Sequence, residues 1–133
     1  MDKSSLLQAF NTHFFEFVDD IQSVFPKDPD VMLAKTALAT IKKVNPKLII
    51  KIWYEYIALK YEKEIERGDL SFFINKDYQD DLAYLSSSTS DTIITKINVL
   101  RESIRNMGKE NQEKSMKYIV NLSKISKIYN SPV

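Results

Sequence analysis

Apolar side chains recur every three or four residues along most of the chain, a spacing that places them on one face of an α-helix. The clearest early example spans residues 4–25, with apolar side chains at Leu6, Phe10, Phe14, Phe17, Ile21 and Phe25. Pro26 is expected to end this first helix, because proline lacks an N–H and restricts the residue before it.

Two further helix starts are marked by a capping residue followed by proline, at Asp28-Pro29 and Asn45-Pro46. In each pair the first side chain is suited to cap exposed amides, and proline is tolerated at the first helical position. The sequence therefore predicts a second helix from residue 29 to about 44 and a third from 46 to about 67. The third would be about 33 Å long at 1.5 Å per residue, with Gly68 as its left-handed terminator.

After Gly68 the pattern predicts a bend rich in aromatic side chains, then a short helix over residues 77–85 capped by Asp77. A serine-rich stretch at 86–90 is expected to be a flexible connection. A fifth helix, starting at Ser90 or Asp91 and closed by Gly108, carries a clean apolar stripe of Ile93, Ile97, Leu100, Ile104 and Met107. A sixth helix covers residues 109–130.

The predicted fold class is all-α, since no stretch alternates apolar and polar residues as a strand would. We expect one helical domain over residues 1–133, a compact bundle or array of five to six helices. Residues 1–85 would form its core and residues 91–130 a C-terminal helical hairpin. The pattern alone does not say whether the hairpin folds back on the core or projects from it.

Composition supports a folded domain and excludes several chemistries. The chain has 133 residues, 44% hydrophobic and 28% charged, close to globular averages. It contains no cysteine, which excludes disulfides, thiolate zinc sites and cysteine nucleophiles. No apolar run approaches the roughly 20 residues that span a bilayer, and no secretory signal is recognisable. An intracellular protein without a membrane partner is therefore expected.

Catalytic signatures are also missing from the sequence. His13 is the single histidine, and the two glycines stand alone, so neither a serine-hydrolase triad nor a phosphate-binding glycine loop is assembled. We expect a non-enzyme without a cofactor. Carboxylates at Asp77, Asp80 and Asp81 suggest one enzymatic hypothesis, a metal-dependent enzyme. Acidic residues near a helix start are ordinary dipole partners, however, and no metal site is predicted.

The aromatic bend supports two interpretations. Leu70, Phe72, Phe73 and Ile74 either pack under the helices, where each fully buried side chain is worth roughly 1.5–3 kcal/mol, or form an exposed patch for a partner. Packing is the favoured interpretation. If the patch is exposed, the expected protein-interaction residues are Trp53, Phe72, Phe73 and Tyr78, since aromatic side chains commonly anchor interfaces.

A basic face on the last helix provides a hypothesis of a different class. Lys114, Lys117 and Lys124 fall within about 80° of one another at 100° per residue, and Lys127 follows. Such an edge could track phosphates in a nucleic acid. The net charge of +1 gives no overall attraction to nucleic acid, and a solvated helix face is the favoured interpretation.

Four blocks spread along the chain resemble small uncharacterised proteins encoded by large nucleocytoplasmic DNA viruses of algae and protists. They are FFEFVDDIQSVFP (14–26), NPKLIIKIW (45–53), GDLSFFINKDY (68–78) and GKENQEKSMKYI (108–119). None is a catalytic signature, and the resemblance brings no established activity. It implies a viral setting, in the virion or in the cytoplasmic viral factory of the host.

The sequence therefore predicts a non-catalytic helical interaction protein of a large DNA virus, acting in virion assembly or in the viral factory. Its partner would be a viral or host protein, or a second copy of itself. The alternative is a nucleic-acid-binding accessory protein of viral replication or transcription that uses the C-terminal lysine face.

Overall fold

The structure is a computed structural model that describes residues 2–74 and 88–131. These residues form seven α-helices and one π-helical segment, and none of them is in a strand. The elements are α1 (Lys3–Val24), α2 (Pro29–Val44), α3 (Leu48–Trp53), the π segment (Tyr54–Ala58), α4 (Glu62–Glu66), α5 (Ser71–Ile74), α6 (Ser88–Arg105) and α7 (Lys109–Tyr129). The all-α prediction is confirmed.

The first two helices each begin at an aspartate N-cap, and that of α2 was predicted. The Asp2 carboxylate accepts a hydrogen bond from the Ser5 amide at 2.7 Å, and this bond holds the pKa of Asp2 below its ordinary value. Asp28 accepts in the same way from the Asp30 amide at 2.9 Å, with Pro29 at the first helical position. Both side chains satisfy amides that a helix start leaves without an internal partner.

The predicted third helix over residues 46–67 is wrong as a single element. It is broken into α3, the π segment and α4, with the Leu59 amide donating to the Tyr54 carbonyl at 3.0 Å across the wider π turn. Five buried side chains in this stretch are spaced by four residues: Ile49, Trp53, Ile57, Tyr61 and Ile65.

The spacing of four explains why a regular α-helix is not kept. At 3.6 residues per turn, each step of four leaves a side chain about 40° further round the axis, or about 160° over the whole row. A π turn holds more residues and reverses part of this drift. The break therefore keeps all five side chains directed at the core.

Gly68 ends α4 as predicted. Its φ is 67°, and it is the one residue with a left-handed backbone among those described. The Asp69 amide donates to the Glu64 carbonyl at 2.9 Å and the Gly68 amide to the Ile65 carbonyl at 3.0 Å, the paired bonds of a Schellman motif. Gly108 differs from the prediction, since its φ of −68° and ψ of 164° make it the extended N-cap of α7.

The serine-rich stretch is also partly reassigned. Residues 88–90 form the first turn of α6, while residues 86 and 87 lie outside the described part of the chain. Serine and threonine are only mildly unfavourable in a helix and are common at its start, so a serine-rich sequence does not by itself exclude helical structure.

The C-terminal hairpin folds back onto the rest of the chain. Helix α7 packs along α1, and α6 packs along α2, while α3 and the π segment lie between the two pairs. Ile97 and Leu100 of α6 and Ile119 of α7 belong to the same apolar cluster as the N-terminal helices. Trp53 lies in this cluster, with ring centroids of Phe10, Phe14, Phe17 and Phe73 at 6.1–6.5 Å.

Candidate functional site

The aromatic bend lies in the core. Trp53 and Phe73 are fully buried and Phe72 is 7% exposed, so the packed interpretation applies to this segment. These three side chains present almost no surface in this fold, which favours a packing role over the expected role as partner anchors. Tyr78, the fourth expected anchor, lies outside the described residues.

A buried arginine that the sequence analysis missed holds the bend in place. Arg101 of α6 is 2% exposed, and its Nε and Nη2 donate to the carbonyls of Phe73 at 2.6 Å and Phe72 at 3.1 Å. Its guanidinium also lies 5.0 Å from the centroid of the Phe73 ring. These bonds satisfy carbonyls at the end of α5 that have no partner within the helix. Arg101 is four residues after Ile97 within the α6 apolar stripe, which was the available sequence signal.

The lysines of α7 do not form one continuous free face. Lys114 donates to Asp20 of α1 at 2.6 Å, and Lys127 donates to Glu62 of α4 at 2.9 Å. The bond to Asp20 raises the pKa of Lys114 above its ordinary value. Lys117 and Lys124 are exposed and make no ion pair with any described residue. Two of the four candidates therefore contribute to joining α7 to neighbouring helices.

A tyrosine on α7 adds to the same seam between α7 and α1. The Tyr118 ring lies 4.8 Å from His13 and 5.4 Å from Phe17, measured between ring centroids. Burial against α1 raises the pKa of the Tyr118 hydroxyl, and the nearby Asp20 charge raises it further. This part of α7 therefore serves packing.

The remaining expectations concern metals and membranes. The carboxylates Asp77, Asp80 and Asp81 lie outside the described residues. Within the part of the chain that is described, no three His, Cys, Asp or Glu side chains come close enough to hold a metal ion. Nor does any helix there have the length and apolar character needed to cross a membrane.

The most distinctive surface lies between α1 and α2, and we call it the α2 groove. It has a volume of about 640 Å³. Its α1 wall is formed by Phe15 and Gln22, and its α2 wall by weakly polar side chains of one helix face, Met32, Thr36, Ala39 and Thr40. Lys35, Lys42 and Lys43 lie along its edge. The groove thus combines an apolar floor with a basic rim.

Helix α2 exposes large apolar side chains on its outer face. Val31, Ala34 and Leu38 fill its inner face, but Met32 is 49% exposed and Leu33 is 61% exposed on the outer side. Val44, at the end of the same helix, is 82% exposed. Adjacent exposed apolar side chains of this kind are typical of a surface that contacts another molecule.

The charge is one-sided along the chain from the first turn of α2 into the π segment. Residues 31–54 contain five lysines and no acidic residue, which is not evident from the balanced total charge. Lys35 is neutralised by Asp19 at 2.6 Å. Lys42 lies 5.2 Å from the centroid of the Phe15 ring, and within the described ranges neither Lys42 nor Lys43 forms an ion pair. The acid-free run was the sequence signal for this surface.

Compared with models of known protein families, with curated proteins and with solved structures, the chain matches none. The function must therefore be argued from the site itself.

Proposed function

We propose that this protein is a non-catalytic interaction protein that binds a partner protein through the α2 groove. The exposure of Met32 carries the proposal, because this side chain lines the groove on a helix whose inner face is already filled; Leu33 is exposed next to it, outside the groove lining. Burying Met32 in an interface would recover a hydrophobic free energy that the isolated chain leaves unused, at about 25 cal/mol per Å².

Covering the threonine hydroxyls of this surface should also carry only a small desolvation penalty. The hydroxyl of Thr36 donates to the Met32 carbonyl and that of Thr40 to the Thr36 carbonyl, both at 3.0 Å. Because these hydroxyls already have acceptors within their own helix, a partner that covers them leaves neither hydroxyl proton without an acceptor. The outer face of α2 can therefore be buried like an apolar one.

The setting of the interaction follows from the resemblance described above. We place the protein in virion assembly or in the viral factory of a large DNA virus, with a viral or host protein as its partner. This part of the proposal rests on the four resembling blocks, and the α2 groove does not depend on it.

Position-specific photo-cross-linking tests the proposal. A benzophenone amino acid is placed at Thr40, on the exposed side of α2, and in a matched variant at Lys117, on the exposed side of α7. Both proteins are expressed during infection and irradiated. We expect a discrete adduct from position 40 and none of the same mass from position 117. Mass spectrometry of the adduct then identifies the partner and tests the viral setting.

Two results would overturn the proposal. One is the absence of any adduct from position 40, and the other is an identical set of adducts from both positions, which would indicate random encounters. Folding of each variant is checked beforehand by circular dichroism, since both replaced side chains are exposed and helical content should be unchanged.

A nucleic-acid-binding accessory role is the second candidate, carried by Lys117 and Lys124. These two exposed lysines are seven residues apart, two helical turns, and face the same direction on α7. Gel shifts with a short duplex over a salt series test it, because phosphate binding weakens steeply as salt rises. Lack of binding at low salt, or binding that survives Lys117→Glu/Lys124→Glu, would remove this candidate.

A further inference from the structure

We infer that the segment bound in the α2 groove is an acidic amphipathic α-helix of a partner protein. Its apolar stripe would lie along Met32, Thr36 and Ala39, and its carboxylates would face Lys42 and Lys43. The inference rests on the proposed function, which it extends by stating the chemistry of the partner.

The shape of the groove fits a helix. Its floor follows one face of α2 over residues 32–43, which at 1.5 Å per residue is about 17 Å. The central side chains, Thr36, Ala39 and Thr40, are small, so a second helix can approach α2 closely. Met32, a flexible side chain, lies at one end of the row. Helix-in-groove recognition uses this arrangement of an apolar channel flanked by polar groups.

The positive charges beside the groove indicate that the bound segment carries negative charge. Lysines in the last turn of α2 also compensate the helix dipole, which accounts for Lys42 and Lys43 in part. It does not account for Lys47, which is the N-cap of α3, where positive charge is unfavourable to the helix; Lys51 follows in the last turn of α3. All four lysines are exposed. An excess of positive charge at this corner is thus not fully explained by helix stability, and a partner with carboxylates would complement it.

A nucleic acid fits this surface less well than a protein helix. Phosphates need hydrogen-bond donors, and here only the lysines at the rim could supply them along α2, because the threonine hydroxyls of the groove already donate within α2. Residues 31–54 also contain no arginine, the side chain best suited to phosphate recognition. The exposed Met32 and Leu33 would remain in water beside a nucleic acid backbone.

A second copy of the chain also fits less well. Two described helices each carry three carboxylates and one lysine. In α1, Asp19 and Asp20 are already paired with Lys35 and Lys114. The other helix is α4, with Glu62, Glu64 and Glu66. It has five residues, about 7.5 Å, and cannot extend along a groove more than twice as long. Glu62 is in addition paired with Lys127. A different protein is therefore the better occupant.

Peptide selection tests the inference without knowledge of the partner. A phage library of random 16-residue peptides is panned against the folded protein, and enriched peptides are synthesised. We expect sequences with apolar residues at i, i+3, i+4 and i+7 and acidic residues beside them. Their affinity should fall by about tenfold or more with Ala39→Arg, which blocks the channel, and fall as salt is raised.

Charge reversal provides the decisive comparison. In Lys42→Glu/Lys43→Glu the enriched peptides should bind at least about tenfold more weakly, and a repeated selection should favour basic peptides. The matched controls on α7 are Asn121→Arg for bulk and Lys117→Glu/Lys124→Glu for charge. Both should bind the original peptides as the unaltered protein does.

Several results would overturn the inference. In the peptide selection, these results are the absence of enrichment, enriched peptides without acidic bias, and equal loss of binding in the α7 controls. The other two are binding of a DNA or RNA oligonucleotide that Lys42→Glu/Lys43→Glu abolishes, and dimerisation, measured by light scattering, that Ala39→Arg abolishes. If position 40 still forms a specific cross-link, such a result rules out an acidic helix as the bound segment and leaves the proposed function intact. If no cross-link forms either, both fall.

Discussion

The contact between Trp53 and Ser123 offers a sharp test of how α7 is joined to the core. The indole Nε1–H donates to the Ser123 Oγ at 3.1 Å, and both side chains are almost fully buried. The two residues are 70 positions apart, so the bond exists only when α7 lies against the segment that contains α3. Removing either partner should destabilise the fold by an amount that depends on the other.

The expected magnitudes follow from the groups left behind. Ser123→Ala leaves a buried indole N–H without an acceptor and should cost about 1–3 kcal/mol. Trp53→Phe removes the donor, worth about 1 kcal/mol, together with part of a buried ring at roughly 0.8 kcal/mol per carbon, or about 2–4 kcal/mol in all. The double variant has neither donor nor acceptor. Its cost should fall short of the sum by about 1 kcal/mol.

Urea unfolding monitored by far-UV circular dichroism measures these differences. Trp53 is the single tryptophan, so fluorescence cannot follow the variants that lack it. Ser126→Ala is the matched control, because Ser126 is a buried serine on the same helix whose hydroxyl donates to its own helix at the Ser123 carbonyl. It should show no coupling to Trp53→Phe. Additivity of the Trp53 and Ser123 changes within about 0.3 kcal/mol would refute the reasoning.

Four further variants concern stability. Gly68→Ala should cost about 1–2 kcal/mol in chemical unfolding, because its left-handed φ is unfavourable for alanine. Gly108→Ser should add about 0.5–1 kcal/mol, a few tenths from the cap and the rest because serine has less conformational freedom than glycine in the unfolded chain. Arg101→Met should cost about 2–4 kcal/mol, since two buried carbonyls lose charged donors; an unchanged midpoint would contradict this. Burial raises the pKa of Tyr118, so its contribution is complete below the ordinary value of 10.0 and is lost as pH rises through the raised pKa. Tyr118→Phe should therefore flatten the alkaline fall in midpoint between about pH 9 and 12, and an unaltered slope would contradict the assignment.

The helices whose ends carry local chemical signals were predictable from the sequence. Asp28 with Pro29 fixes the start of α2, and Gly68 fixes the end of α4, because each signal acts on the backbone within a few residues. The apolar stripes of α1 and α6 were also predictable, since a period near 3.6 is a property of the local sequence. These features depend on neighbours in the chain.

Features that depend on packing were not predicted. The π segment arises because a row of side chains spaced by four must all reach the same core, a requirement that appears only once the core is assembled. Arg101 was missed for a related reason, since a charged residue in an apolar stripe is tolerated only where carbonyls without other partners await it. For Phe72 and Phe73 the sequence favoured packing over an exposed patch, but the contacts with α6 that hold them could not be read from it.

The α2 groove illustrates the opposite limit, a surface that periodicity analysis passes over. One apolar face of a helix is accounted for by packing against the core of its own domain. In α2 that face consists of Val31, Ala34 and Leu38. Met32 and Leu33 add apolar surface that no described neighbour covers. Of the lysines beside it, only Lys35 is paired with a described carboxylate. The exposed apolar surface does not stabilise the isolated chain, and the lysines stabilise it only in part, through the dipole of α2. Both are explained at once if an apolar and acidic surface of another protein completes the helix.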